Sequence, residues 1–171
     1  DKSWKLIMKN TNDEPNAIKA ATSDRSRRDI FRSHNANLDQ IQKDLEDYLE
    51  TKRMAFPRFY FLSNDELLEI MSQTRDPHAV QPHMSKGFDA IKRIKFGEGK
   101  HGHDILGFLD PGGEYVPLID SVKAEGAVEV WLLSFEKGMR KTLYDRCKKA
   151  FTEYPQTTEG AIDRKNWLWA Y

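Results

Sequence analysis

At Pro57 the chain changes its period. Upstream, Ile30, His34, Leu38, Ile41, Leu45, Tyr48 and Lys52 recur at steps of three or four, which predicts one long helix from about Arg28 to Ala55 carrying a single apolar stripe. Asn35 and Asn37 soften its middle through poor helix propensity, while Asp39 and Lys43 add a charge pair one turn apart. Proline ends such a helix, because its ring removes an N–H and collides with the preceding turn. Beyond it, Phe59, Tyr60, Phe61 and Leu62 form an unbroken apolar run, and a short strand buried on both faces is expected over Phe56 to Leu62. Ser63 followed by Glu66 spells a capping box, so a second helix should begin there and carry Leu67, Leu68, Ile70 and Met71.

The remaining elements follow from turn and cap chemistry. Trp4 to Met8 is a short apolar segment, and Asn10 to Asn16 reads as a loop from its Asn, Asp and Pro content. Asp76 and Pro77 supply a helix start, with Pro82 and Gly87 limiting its regularity. A strand is expected at Lys92 to Phe96, a loop over Gly97 to His103, and a hairpin whose arms, Asp104 to Asp110 and Tyr115 to Asp120, flank Pro111, Gly112 and Gly113. The last large element runs from Val128 to Tyr154, where Pro155 stops it, and as a helix it is a rod of about 40 Å. Val128, Leu132, Phe135, Met139, Leu143 and Ala150 fall on one side of it, and Lys137, Arg140, Lys141 and Lys148 on the other, with no aromatics expected among these cations. The expected class is therefore mainly α with a small β component, an elongated bundle of long helices with a short buried strand and a β-hairpin. Both ends read as cut from something longer: 1–27 as a truncated N-terminal segment, 28–155 as the core, and 156–171, with Trp167, Trp169 and Tyr171, as a connection onward.

Composition removes several function classes. The 171 residues carry 27 Lys and Arg against 27 Asp and Glu, a balance that argues against a general nucleic-acid binder. Only one cysteine, Cys147, is present, so neither an internal disulfide nor a multi-cysteine zinc module can form, and a reducing compartment fits. No apolar run approaches the ~20 residues of a membrane span. Charged residues at 32% and hydrophobic ones at 39% favour long helices with wide wetted faces. Aromatics at 11% argue against disorder.

Local constellations offer little chemistry. Gly97, Gly99, Lys100 and Gly102 imitate a phosphate loop, but the spacing is wrong and His101 stands where a magnesium-binding hydroxyl belongs. His101, His103 and Asp104 put two imidazoles and a carboxylate within four residues, yet a third strong ligand and rigid support are needed. His78 and His83 share no helix face, His34 is expected as a hydrogen-bonded core histidine, and Cys147, despite basic neighbours, as a packing residue. No pair of carboxylates is visibly convergent. The expectation is a non-catalytic body without cofactor, metal, nucleic acid or membrane.

Residues 38–70, LDQIQKDLEDYLETKRMAFPRFYFLSNDELLEI, resemble the linker region of dynein heavy chains. The shared pieces are IQK at 41–43, DYLE at 47–50, KR at 52–53, FPRFYF at 56–61 and NDELLEI at 64–70, with LETKR and FLSNDELLEI closer to axonemal than to cytoplasmic forms. AVQPH at 79–83, the GGEYV hairpin and VEVWLLSFEKGMRKTL at 128–143 continue the likeness. Gly87, the loop 97–103 and PGGE at 111–114 depart from it.

This resemblance implies the C-terminal part of a linker, a lever that lies across an AAA+ ATPase ring and turns ATP hydrolysis into displacement along microtubules. ATP and magnesium then belong to the ring of the parent chain. The implied partners are that ring and, through the parent protein, microtubules and the dynein intermediate and light chains. The implied location is the cytoskeleton of a cilium or flagellum. Stiffness is the expected contribution, with Phe56, Pro57, Phe59, Tyr60, Phe61, Leu67, Leu68, Trp131 and Phe135 as the mechanical core and Lys137, Arg140, Lys141 and Lys148 as a face that docks on an acidic ring surface. The alternative is a helical protein-interaction scaffold unrelated to a motor, separable by whether an ATPase module follows Tyr171.

Overall fold

The computed structural model describes residues 1–22, 24–73 and 76–154; the expected onward connection, 156–171, lies outside the described residues. Among these are helices α1 (Lys2–Asp13), α2 (Ala17–Thr22), α3 (Arg27–Ala55), α4 (Asn64–Ser72), α5 (Met84–Gly87) and α6 (Val128–Glu153), and strands β1 (Arg93–Phe96), β2 (Asp104–Leu109) and β3 (Tyr115–Lys123). The class is the expected one, mainly helical with a small antiparallel sheet. Contacts divide the chain into two compact units, Asp1–Tyr48 and Leu49 onward.

The first unit holds α1, α2 and most of α3. Helix α1 continues through Asn10 to Asp13, where a loop was expected, because the helical ladder absorbs the polar residues: Thr11 Oγ1 donates back to the Ile7 carbonyl at 2.9 Å. Asn16 instead caps α2, its Oδ1 accepting the N–H groups of Ile18 and Lys19. Trp4 and Phe31 approach to 6.1 Å between ring centroids. The long helix spans the expected residues, but its stripe is not a buried one: Leu38, Ile41, Leu45 and Tyr48 are all exposed, and His34 is half-buried rather than a core residue. Periodicity fixes the helix; it does not supply the surface that would cover it.

The second unit contains the hydrophobic core, from Leu49 through Phe135. Phe56 to Leu62 is not a strand. Pro57–Phe61 is a 3₁₀ helix, held by N–H donation from Phe59 to the Phe56 carbonyl at 3.0 Å and from Leu62 to the Phe59 carbonyl at 3.1 Å. Side chains three apart eclipse in such a helix, so Phe56, Phe59 and Leu62 are buried while Tyr60 and Phe61 face solvent. The capping box forms as read: Ser63 Oγ accepts the Glu66 N–H at 3.3 Å and Glu66 Oε2 accepts the Ser63 N–H at 3.1 Å. The segment begun by Asp76 is also 3₁₀, over Pro77–His83, and becomes α-helical only after Pro82, as α5.

The sheet has the order β1-β2-β3, with Ile94 opposite Phe108 and Phe108 opposite Val116. Gln81 covers the free edge of β1, its side chain donating to the Ile94 carbonyl at 2.7 Å and accepting the Ile94 N–H at 3.0 Å. An open edge would otherwise template pairing with another strand. The hairpin turn is the expected one, tightened by Glu114 N–H donation to Asp110 Oδ1 at 2.7 Å, with Gly113 at φ 92°. Helix α6 lies against β3. Gly138 permits the approach, since an added Cβ would sit 3.3 Å from Val122, and buried Thr142 Oγ1 accepts the Ile119 N–H at 3.1 Å.

Candidate mechanical core and docking face

Five phenylalanines connect the elements of the second unit. Phe56, closing α3, meets Phe59 edge-on at 5.0 Å and Phe88 at 6.3 Å. Phe88, just after α5, meets Phe135 of α6 at 5.8 Å, and Phe135 meets Phe108 of β2 at 6.1 Å. Edge-to-face pairs each add about 0.5–1.5 kcal/mol beyond burial. Phe56, Phe59, Leu67, Trp131 and Phe135 are buried, whereas Leu68 is half-buried and Pro57, Tyr60 and Phe61 are exposed. The expected core residues thus separate into an inner set and an outer set. Tyr60 still has a partner, donating to Glu50 Oε1 at 2.5 Å, and that acceptor raises its pKa.

The ionic part of this core escaped sequence reasoning. Lys52 Nζ donates to Glu129 Oε1 at 2.5 Å with both side chains largely buried. Arg58 donates to the Gly87 carbonyl at 2.9 Å and to Glu136 Oε1 at 3.3 Å, and its guanidinium lies 4.4 Å from the Phe88 ring centroid. Burial pushes the Glu136 carboxyl up, but hydrogen bonds from Arg58 and Arg140 outweigh it and hold the pKa below its usual range. Glu129 and Glu136 are seven residues apart, so both acids face the core from the same side of α6. The available signal was two acids spaced by a heptad at the edge of the nominally apolar face.

Glu66 is tuned as well. A hydrogen bond from Lys86, followed by the Ser63 backbone and the Lys86 charge, lowers its pKa from 4.5 to about 2. A carboxylate depressed in the folded chain contributes stability that is present above its unfolded pKa and lost as pH falls through the folded one. The unfolding free energy should therefore decline between about pH 4.5 and pH 2 more steeply in the wild type than in Glu66→Gln. Parallel acid titrations followed by chemical denaturation check this; equal slopes would exclude Glu66 as the coupled group.

Of the four cations expected on the docking face, all are exposed, but two are already engaged. Arg140 donates to Glu136 at 2.8 Å, and Lys141 to Asp120 at 2.7 Å, which raises the lysine pKa. Aromatics do share this face, contrary to expectation: Tyr144 and Phe151 are 66% and 78% exposed. Cys147 is exposed rather than packed. At the loop, His101 Nδ1 and Asp104 Oδ2 lie 2.7 Å apart, and among the described residues no three His, Cys, Asp or Glu side chains come together as a metal site.

Residues 1–150 match the family model described as dynein heavy chain, N-terminal region 2. The chain is 50% identical over 170 residues to dynein axonemal heavy chain 6 of Homo sapiens, covering 90% of this chain and 4% of that protein. It is 46% identical over 168 residues to dynein axonemal heavy chain 1 of Homo sapiens, covering 98% and 4%, and 44% identical over 158 residues to dynein axonemal heavy chain 2 of Mus musculus, covering 89% and 4%. It spans about 4% of the length of these relatives. With the match running through both compact units, the chain belongs to the dynein heavy chain family, in its N-terminal region 2 and on the axonemal side.

Proposed function

We propose that this chain is a non-catalytic lever element of a dynein heavy chain, passing conformational change of an AAA+ ring into movement along microtubules in a cilium or flagellum. The observation that carries the reading is the convergence of the Phe56–Phe59–Phe88–Phe135–Phe108 series with the Lys52–Glu129 and Arg58–Glu136 pairs. Packed interiors transmit strain because they have low compressibility, and here one interior joins the end of α3, the 3₁₀ turn, α5, α6 and the sheet. ATP and magnesium belong, on this reading, to the ring, and contact with intermediate and light chains to the rest of the heavy chain. Lys137, Arg140, Lys141 and Lys148 form the face through which the lever meets the ring.

The test is a heavy chain carrying Phe59→Ala. Phe59 is 2% exposed, and truncating a buried Phe costs about 3–5 kcal/mol. The variant should hydrolyse ATP at close to the wild-type rate while microtubule gliding slows several-fold. Wild-type gliding velocity from a properly folded variant would overturn the lever reading.

A further inference from the structure

The exposed side of α6 repeats every seven residues. Val130, Lys137, Tyr144 and Phe151 lie seven apart, and Ser134, Lys141 and Lys148 follow each of the first three by four. At about 100° per residue all seven fall on one face. Val130, Tyr144 and Phe151 are 59%, 66% and 78% exposed, so among the described residues this is an exposed apolar and basic stripe opposite the face that packs on β3. Beyond Thr142 the described helix buries no residue through Glu153. Its last three turns therefore extend an established helix beyond the core, with little packing of their own behind them.

From this geometry we propose that the outer stripe of α6 is a docking seam for an acidic amphipathic helix, whose apolar residues would cover Val130, Tyr144 and Phe151 and whose carboxylates would face Lys137, Lys141 and Lys148. This rests on the choice of docking face made above and adds the chemistry of the partner. A seven-residue repeat sustained over 21 residues, about 30 Å, suits another helix, since that spacing keeps one seam facing one partner. A flat acidic patch would satisfy the lysines and leave Phe151 wet. Lys137 inside the apolar line excludes a purely hydrophobic helix, because its ammonium would lose water without gaining a counter-charge. Lys141 already reaches Asp120 through an exposed pair, and exposed pairs are weak enough to exchange partners. Arg140, held by Glu136, marks the seam's border.

The experiment places p-benzoylphenylalanine at position 144 of the intact heavy chain, irradiates the assembled motor, and maps the adducts by peptide sequencing. The expected adducts lie in one helical segment whose Asp and Glu recur at steps of three or four between apolar residues. Lys137→Gln with Lys148→Gln, and separately Phe151→Ala, should each lower adduct yield at least tenfold. Adducts on a segment without that pattern, adducts on lipid, no adducts, or yields unchanged by both sets of variants would overturn the seam. ATP turnover and gliding velocity recorded on the same preparations report on the lever separately, so either idea fails without taking the other with it.

Discussion

Phe135→Ala should destabilise the chain by about 3–5 kcal/mol and lower its melting temperature by roughly 6–20 °C, at about 2–4 °C per kcal/mol for a chain of this size. Phe135 is fully buried at the centre of the aromatic series, with Phe88 and Phe108 both edge-on to it. Its removal deletes buried surface, opens a cavity between α6 and the sheet, and dissolves two ring pairs together. Phe61→Ala is the matched comparison: the same chemical change at a side chain 69% exposed should stay within about 0.5 kcal/mol. Urea denaturation of both variants checks the pair. Similar losses at the two positions would show that the phenylalanines act through general hydrophobicity and not through this packing.

The contrast between Phe135 and Phe61 also marks where the sequence was legible. Helical period and caps identified α3, α4 and α6 because their signals are local: a stripe at steps of three or four, a Ser63–Glu66 box opening α4, and a proline just past α3 and α6 in the sequence. The hairpin was equally local, set by Pro111, Gly112 and Gly113. The aromatic run after Pro57 was misread because continuous hydrophobicity suggests a doubly buried strand, while the true order is a period of three. Phe56, Phe59 and Leu62 obey it and Tyr60 and Phe61 do not. Gln81 was invisible for a different reason, since its two hydrogen bonds reach a strand thirteen residues on. The proposed docking face was half legible: its cations are evident on a helical wheel, but the acids that hold Arg140 and Lys141 are brought to them by packing and turn geometry. Tyr144 and Phe151 obey the same wheel, so their place among the lysines could have been read.

Lys52→Met is expected to cost about 2–4 kcal/mol, close to the loss from breaking a buried ion pair by removing one partner, discounted because the lysine side chain is 21% exposed. The cost arises at the acid left behind. Glu129 Oε1 loses its cation at 2.5 Å, and buried Oε2 has no hydrogen-bond partner to compensate. An uncompensated carboxylate in low dielectric is more damaging than the loss of the pair's own attraction. Lys52→Met combined with Glu129→Leu should therefore recover most of the stability, because an apolar pair of similar volume is often neutral or better than a buried ion pair. A double-mutant cycle measured by denaturant unfolding separates the possibilities: the single costs should fail to add by more than about 1 kcal/mol. Additive, small effects would mean that Lys52 and Glu129 are held apart in solution. The recovered double variant then asks a mechanical question that the single variant cannot. Its core is folded but has lost a directional tie between α3 and α6. If that tie sets stiffness, a heavy chain carrying both changes should keep its melting temperature and still move microtubules more slowly.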